Sequence, residues 1–247
     1  MTGVQTCALP ISPGKIDNNE NGDTACDHYH RYPQDIEHMH RLGVDSYRFS
    51  TAWPRIVPEP GKVNQKGVDF YSKLVDELLK KNIEPLCTLF HWDAPVWLFE
   101  RGGFLNRDSA AYMREYSEVL FRALGDRVKK WVTVNEPMVF AMYGYITGEM
   151  PPGKKNDVKG MMLTTHHLLL SHAAMVKACR EHVQEGKIGI AEAQVYIQPL
   201  RKDNPKDRAA ADRMDQLINR LYIDPVFRGS YPPFVLEKLE KHLPDGY

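Results

Sequence analysis

Apolar positions along the chain follow two spacings, one typical of strands and one typical of amphipathic helices. Short β-branched or aromatic runs predict strands, and apolar residues three and four positions apart predict the helices between them. Strands that alternate with helices in this way favour a parallel sheet with right-handed crossovers. The predicted strands cover residues 45–50, 84–90, 130–134 and 187–193, and the predicted helices cover 33–42, 67–81, 108–124, 161–182 and 207–222.

The number of strands limits the choice of fold. The chain has 247 residues, which matches the usual length of a complete barrel of eight strands and eight helices. Only four strands are predicted, because the segments that follow the strands are long. The sequence therefore predicts an α/β fold, a partial (β/α)8 TIM barrel of about four consecutive βα units. An open sheet of this kind leaves its edges unpaired, so self-association through the exposed sheet edges is expected.

Composition excludes several classes of partner. The chain carries 32 Lys and Arg against 32 Asp and Glu, so neither nucleic acid nor an acidic membrane surface is an expected partner. No apolar run approaches the length needed to span a membrane, and the N-terminus does not resemble a secretion signal. Cys7, Cys26, Cys87 and Cys179 are scattered without a Cys-x-x-Cys pair, which favours a reducing compartment and predicts a cytoplasmic protein.

Three of the predicted strands end in polar or aromatic side chains suited to binding a sugar. The run 130–134 is followed by Asn135 and Glu136, and then by Pro137, which cannot donate to a sheet ladder. A single Glu after a strand is more often a carboxylate that starts a helix, so the interpretation depends on the three ends together. In barrels of this type the chemistry takes place at the C-terminal ends of the strands. The other two ends are Tyr47-Arg48-Phe49-Ser50 and Phe90-His91-Trp92-Asp93.

These residue types suit the cleavage of a glycosidic bond, which needs one carboxyl to protonate the leaving oxygen and a second to attack the sugar or activate water. Glu136 is the candidate acid, and Asn135 is suited to binding a sugar hydroxyl. His91 offers a ring donor, and Trp92 offers an apolar platform. Arg48 is expected to be buried and to orient a catalytic carboxylate. The alternatives are a structural ion pair for Arg48 and a core histidine for His91.

The motifs together resemble glycoside hydrolase family 1, the β-glucosidase family, from about Pro13 to Tyr247. The resemblance implies a retaining glycosidase that acts on β-glucosides or oligosaccharides without a cofactor or metal. It assigns Glu136 as acid/base, Asn135 as the partner of the sugar 2-hydroxyl, His91 with Trp92 as sugar-binding residues, and Arg48 as the arginine that contacts the nucleophile. The motifs are Asn21-Gly22-Asp23, Ala25 to Tyr32, Tyr47 to Ser50, Trp53 to Ile56, His91 to Pro95, Gly102 to Arg107, Thr133 to Pro137, Asp224-Pro225 and Gly229 to Pro232.

The sequence departs from the family at two places. Residues 1–12 bear no likeness to the family's first strand, so we assign 1–12 as a non-family segment and 13–247 as the partial barrel domain. The Thr-Glu-Asn-Gly segment that holds the family's nucleophile does not occur, and no nucleophile is predicted in this chain. The chain resembles the second to fifth strands of the family, and we expect it to be truncated and inactive alone. Glu192, after the last predicted strand, is interpreted as a polar strand-end residue.

Two further interpretations stay open. The chain could belong to a 6-phospho-β-glucosidase, although Asp93 after His91 and Trp92, and Met138 after Pro137, resemble the non-phosphorylated branch. It could also be a non-catalytic sugar-binding half-barrel. The five histidines His28, His30, His166, His167 and His172 do not form the His-Glu-x-x-His pattern, so no metal site is predicted.

Overall fold

The computed structural model describes residues 4–5, 17–19 and 24–247. The predicted non-family segment, residues 1–12, therefore lies outside the described residues except at Val4 and Gln5, and its assignment stays a prediction. The chain divides into two compact units. The first comprises Met1–Asn135 with Ser171–Ile190, and the second comprises Glu136–Leu170 with Ala191–Tyr247.

The order of elements alternates between strands and helices, as the sequence predicts. The strands are β1 (Val4–Gln5), β2 (Ser46–Ser50), β3 (Glu84–Phe90), β4 (Ala94–Pro95), β5 (Lys130–Asn135) and β6 (Lys187–Ala191). The α-helices are α1 (His28–Arg41), α2 (Trp53–Ile56), α3 (Gln65–Lys80), α4 (Val96–Glu100), α5 (Ser109–Leu124), α6 (Pro137–Met142), α7 (Val158–His182), α8 (Pro205–Asp215), α9 (Leu221–Arg228) and α10 (Pro233–Leu239). None of the described helices is long and apolar enough to cross a membrane.

The main sheet has four strands in the order β2-β3-β5-β6. The pairs β2-β3 and β3-β5 are parallel. Lys187 N donates to Lys129 O where β5 and β6 begin, and Glu136 N donates to Ala191 O where they end, so β6 runs in the same direction. The C-terminal ends of all four strands therefore lie at one edge of the sheet. This arrangement confirms the predicted partial (β/α)8 barrel.

Alternation along the strands directs one face of the sheet towards the helices of the first unit. Phe49 of β2 stacks on Tyr71 of α3 at 6.3 Å between ring centroids, and Trp131 of β5 meets Phe121 of α5 edge-on at 4.9 Å. Arg48 occupies the opposite face of β2, because successive strand residues point to opposite sides. The helices thus cover the aromatic face, and the polar strand-end residues are not part of that core.

Tyr116 connects three elements of the first unit through its phenol oxygen. This side chain of α5 is 1% exposed, and its hydroxyl lies 2.6 Å from Thr51 Oγ1 and donates to Leu89 O at 2.9 Å. Burial raises the pKa of Tyr116 well above its ordinary value, so the phenol stays neutral. The contact holds α5 against the C-terminal ends of β2 and β3.

The second unit has its own polar connections. The Asn219 amide accepts from Val195 N at 2.9 Å and donates to Val195 O at 2.8 Å, which fixes the segment after β6. Asp224 is buried and pairs with Arg220 and Arg228, one turn before and after it on the helix. A buried carboxylate needs such cationic partners, and these pairs stabilise α9.

Several element boundaries differ from the sequence predictions. Helix α1 begins at His28 and keeps Pro33 inside it, whereas the prediction started the helix at that proline. The predicted helix 207–222 is divided into α8, a π-helical turn at Gln216–Arg220 and α9. The short helices α2, α4, α6 and α10 were not predicted, because four to seven residues are too few to show a helical period.

A substitution at Gly67 tests the close packing of α3 against α2. A Cβ at this position would overlap the backbone carbonyl of Arg55, and backbone yields less readily than a flexible side chain. Gly67→Ala gains about 1 kcal/mol of helix propensity, but overpacking costs about 1–3 kcal/mol and more against backbone. We therefore expect a net loss of unfolding free energy in urea titrations. Gly189→Ala is the control, because nothing lies within 4 Å of its added Cβ; equal stability of the two variants would contradict the packing argument.

Candidate active site

Asn135 ends β5 and is bound by Arg48 of β2, which in turn contacts Thr88 of β3. Its side-chain oxygen accepts from Arg48 Nη2 at 2.6 Å, and Arg48 Nε donates to Thr88 Oγ1 at 2.8 Å. Asn135 is only 3% exposed. Because the guanidinium can only donate, this contact assigns the amide oxygen and leaves the Asn135 NH2 group as a donor for another group. The amide orientation is therefore set by Arg48.

The expectation that Arg48 is buried beside a carboxylate is wrong in the described structure. The Arg48 side chain is exposed, and it donates hydrogen bonds to the neutral oxygens of Thr88 and Asn135. The reason is that Arg48 lies on the sheet face opposite Phe49, and the helices of the first unit cover only the Phe49 face. Its proposed contact with a nucleophile stays a prediction.

Trp92 contacts the same residue from the loop after β3. Its indole N–H donates to the Asn135 backbone oxygen at 2.8 Å. The backbone of Trp92 has φ 78, which is uncommon for a bulky residue and is strained. His91 is exposed, and its ring meets the Trp92 ring nearly at right angles, 5.2 Å between centroids. The structure therefore brings Arg48, His91, Trp92 and Asn135 to the C-terminal edge of the sheet.

Asp93 belongs to the motif His91 to Pro95, and no role was predicted for it. Burial raises the pKa of its carboxyl to about 6, and the positive charge of Arg55 opposes this shift. Arg55 lies over the Tyr29 and Phe70 rings at 4.9 and 5.0 Å. Asp93 is consequently a carboxyl that titrates near neutrality one residue after Trp92.

His172 supports β5 from its other side. Thr133 Oγ1 lies 2.8 Å from His172 Nδ1 and donates to Gly189 O at 3.1 Å, which joins α7, β5 and β6 within the first unit. Burial lowers the pKa of His172 to about 4, so this ring is neutral at physiological pH. The sequence predicted neither a metal site nor another role for this histidine. Its contacts are those of a structural side chain.

Glu136 is the first residue of the second unit, and its backbone has a left-handed conformation. Its φ is 46, its N–H donates to Ala191 O at 2.7 Å, and Pro137 follows it at the start of α6. The side chain is half-buried. The chain thus places a carboxyl directly after Asn135, at the C-terminal end of β5, as the sequence predicts.

Glu192 lies directly after the neighbouring strand. Its Oε1 is buried and has no hydrogen-bond partner among the described residues. Burial, followed by the negative charge of Glu136, raises the pKa of Glu192 to about 8. Sequence analysis treated Glu192 as an ordinary polar residue, because nothing in the sequence reveals the burial of one strand-end carboxyl or its proximity to another.

One cluster in the described part of the chain has the composition of a metal site. Glu118, Glu181 and His182 bring potential ligand atoms within 4.8 Å of one another. Arg114 pairs with both carboxylates, and Arg122 pairs with Glu118. Acidic groups that are already neutralised by two guanidinium groups are better explained as an ion-pair network than as ligands for a cation.

Comparison with known proteins identifies the family. Residues 8–245 match Glycosyl hydrolase family 1. The chain belongs to this family. It is 48% identical to a 1,4-beta-D-glucan glucohydrolase of Thermotoga neapolitana over 96% of its own length and 56% of that protein. It is 46% identical to Beta-glucosidase A of Thermotoga maritima, over 96% of this chain and 53% of the relative.

Solved structures agree with the family assignment. The β-glucosidase from Thermotoga maritima in complex with glucoimidazole superimposes with a TM-score of 0.93 at 44% identity, and the match covers 100% of this chain and 57% of that one. The same enzyme in complex with deoxynojirimycin gives a TM-score of 0.91 at 43% identity, covering 100% of this chain and 56% of the other. The chain therefore spans about half the length of the relatives it matches.

His172 gives a test of the support behind β5. Its folded pKa of about 4 lies below the ordinary 6.5, so the unfolded chain takes up a proton first and stability falls as pH drops from 6.5 towards 4. Between pH 7 and pH 5, the unfolding free energy of the wild type should therefore fall by about 1–2 kcal/mol more than that of His172→Gln. Urea unfolding at both pH values measures this difference. His38→Gln, at an exposed position of α1, is the control; equal pH dependence in the wild type and His172→Gln would contradict the assignment.

Proposed function

We propose that this chain provides the acid/base side of a retaining β-glucosidase that removes terminal β-linked glucose. The observation that carries this proposal is the pair of hydrogen bonds on Asn135, from Arg48 to its side chain and from Trp92 to its backbone. These bonds fix the residue before Glu136 and present the Asn135 NH2 group as a donor. A fixed amide next to a carboxyl is what a sugar 2-hydroxyl and a departing glycosidic oxygen require.

Each residue then has a defined task. Glu136 gives a proton to the leaving oxygen and takes one back from the water that completes hydrolysis. The Asn135 amide donates to the sugar 2-hydroxyl, a contact that strengthens in the transition state. The Trp92 ring provides an apolar surface, and His91 provides a hydrogen-bonding ring beside it. Arg48 holds the amide in position. No cofactor or metal takes part in these steps.

The substrate proposal rests on the relatives together with this geometry. One Thermotoga relative is named for glucan hydrolysis and another for β-glucosidase activity. Solved structures of the Thermotoga maritima enzyme contain glucoimidazole and deoxynojirimycin. We propose β-glucosides as the substrates here, because the residues at the C-terminal edge of the sheet are those expected to bind such a sugar.

The second carboxyl of the reaction is not accounted for by this sequence. A retaining mechanism needs a nucleophile roughly 5–5.5 Å from the acid across the sugar, and no Thr-Glu-Asn-Gly segment occurs in these 247 residues. Residues that act as a unit fail together when one is missing. We therefore propose that this chain alone is catalytically inactive, and sugar binding without catalysis is the second candidate function.

The cellular location and the self-association of the protein stay proposals. A cytoplasmic role in carbohydrate metabolism is supported by Cys26, Cys87 and Cys179, which are free thiols in the described structure.

Self-association is supported by the edge position of β2, whose outer backbone groups are not paired within the four-stranded sheet.

The purified chain tests the proposal that it is inactive alone. We expect no hydrolysis of aryl β-glucosides above the level of a Glu136→Gln preparation, because the nucleophile is missing. Glu192→Gln is measured in parallel. Robust turnover that Glu192→Gln abolishes would show Glu192 to be a nucleophile and would contradict the proposal. Turnover that neither substitution changes would identify a contaminating enzyme.

A chimera tests the catalytic role of Glu136. Residues 13–245 are joined to the remaining barrel segment of the Thermotoga maritima β-glucosidase, and hydrolysis is measured over a series of leaving groups. Glu136→Gln should lose about 10²–10⁴-fold in kcat/KM with alkyl glucosides and much less with dinitrophenyl glucoside, which needs no proton to depart. Glu149→Gln, at an exposed position, is the control. Equal losses across the series would show that Glu136 is not the acid.

A further inference from the structure

The segment after β6 is fixed at both ends. Ala191 O accepts the 2.7 Å hydrogen bond from Glu136 N. Four residues after Ala191, the backbone of Val195 makes both of its hydrogen bonds to the Asn219 amide, at 2.9 and 2.8 Å. The same amide donates to Asp215 Oδ1 at 2.7 Å, which fixes its orientation. Glu192 lies between these two anchors, which hold the backbone on both sides of it.

Glu192 is anomalous among the carboxyls of the second unit. Asp224 is buried but pairs with two arginines. Glu192 has a buried oxygen without a partner in the described structure. The ionisable groups that interact with it electrostatically are Glu136 and Tyr222, and neither is a cation. Tyr222 is fully buried, and its hydroxyl accepts from Thr165 at 3.3 Å.

A carboxylate in this position is unfavourable for two reasons. Removing a charge from water without a cation or donors is expensive. Ionising a second carboxyl next to Glu136 also places two like charges together. The neutral acid avoids both penalties, and the raised pKa of Glu192, about 8, agrees with this preference.

We propose that Glu192 is a positioning residue that keeps a proton beside Glu136, so that the two carboxyl groups together hold one proton in the resting protein. This inference rests on the proposed acid/base role of Glu136. Glu192 carries this proton at rest, and the proton passes to Glu136 when the pair acts. Glu136 passes this proton to the leaving oxygen, and the attacking water returns a proton to the pair in the second step. The pair therefore keeps an acid available at neutral pH.

Carbon-13 NMR of the intact 247-residue chain, labelled at the glutamate carboxyl carbons, tests the pair without any catalytic turnover. One signal should titrate with a midpoint near pH 8, and Glu192→Gln should remove it. In Glu136→Gln the midpoint should fall by about one pH unit, because the repelling charge is gone. It should stay above the ordinary range, since burial is the larger cause. Glu149→Gln, at an exposed position, should leave the midpoint unchanged.

A Glu192 signal that titrates below pH 5, or a midpoint that is the same in Glu136→Gln, would overturn the proposal. If Glu192→Gln does not fold, the Glu136→Gln spectrum alone tests the proposal. In that spectrum the Glu136 signal is absent, and the midpoint of the Glu192 signal should shift. The chimera adds a separate readout. Glu192→Gln should move the alkaline limb of its pH–rate profile to lower pH. An inactive chimera would count against the proposed function, whereas the NMR midpoints bear on the proton pair alone.

Discussion

The hydrogen bonds that meet on Asn135 are the interaction on which the rest of the site depends. β5 lies inside the sheet between β3 and β6, so a residue at its C-terminal end is within reach of long side chains from the other strand ends. Arg48 reaches across from β2 to the amide, and Trp92 reaches back from the loop after β3 to the carbonyl. Parallel strands make this convergence possible, because their C-terminal ends all lie at the same edge.

Backbone strain is concentrated at the residues near Asn135. Trp92 and Glu136 both have positive φ, at 78 and 46, although neither residue is one that favours this region. Glu136 also precedes Pro137, which further restricts its backbone. Such strain persists only where surrounding contacts enforce it, here the Trp92 indole bond and the bond from Glu136 N to Ala191 O. The two strained residues are those predicted to act on the sugar.

Much of this arrangement could be predicted from the sequence, because it depends on local pattern. Short β-branched, aromatic or other apolar runs located all four strands, and the strand-end position of Asn135 and Glu136 followed from the proline after them. Other features depend on tertiary surroundings. The exposure of Arg48 depends on which sheet face the helices cover, and Pro33 lies inside α1 rather than at its start. The burial of Glu192 Oε1 without a hydrogen-bond partner among the described residues also depends on the tertiary structure.

The position of the two carboxyls argues against Glu192 as the nucleophile. Glu136 and Glu192 follow neighbouring parallel strands that are joined by a 2.7 Å backbone bond, so both residues lie at the same edge of the sheet. A nucleophile in a retaining reaction must stand across the sugar from the acid and must be ionised to attack. Glu192 meets neither condition, because its burial and the charge of Glu136 favour the protonated form. A neutral carboxyl is a poor nucleophile but a good hydrogen-bond donor, which is why the same observation that excludes Glu192 from attack suits it to handling a proton.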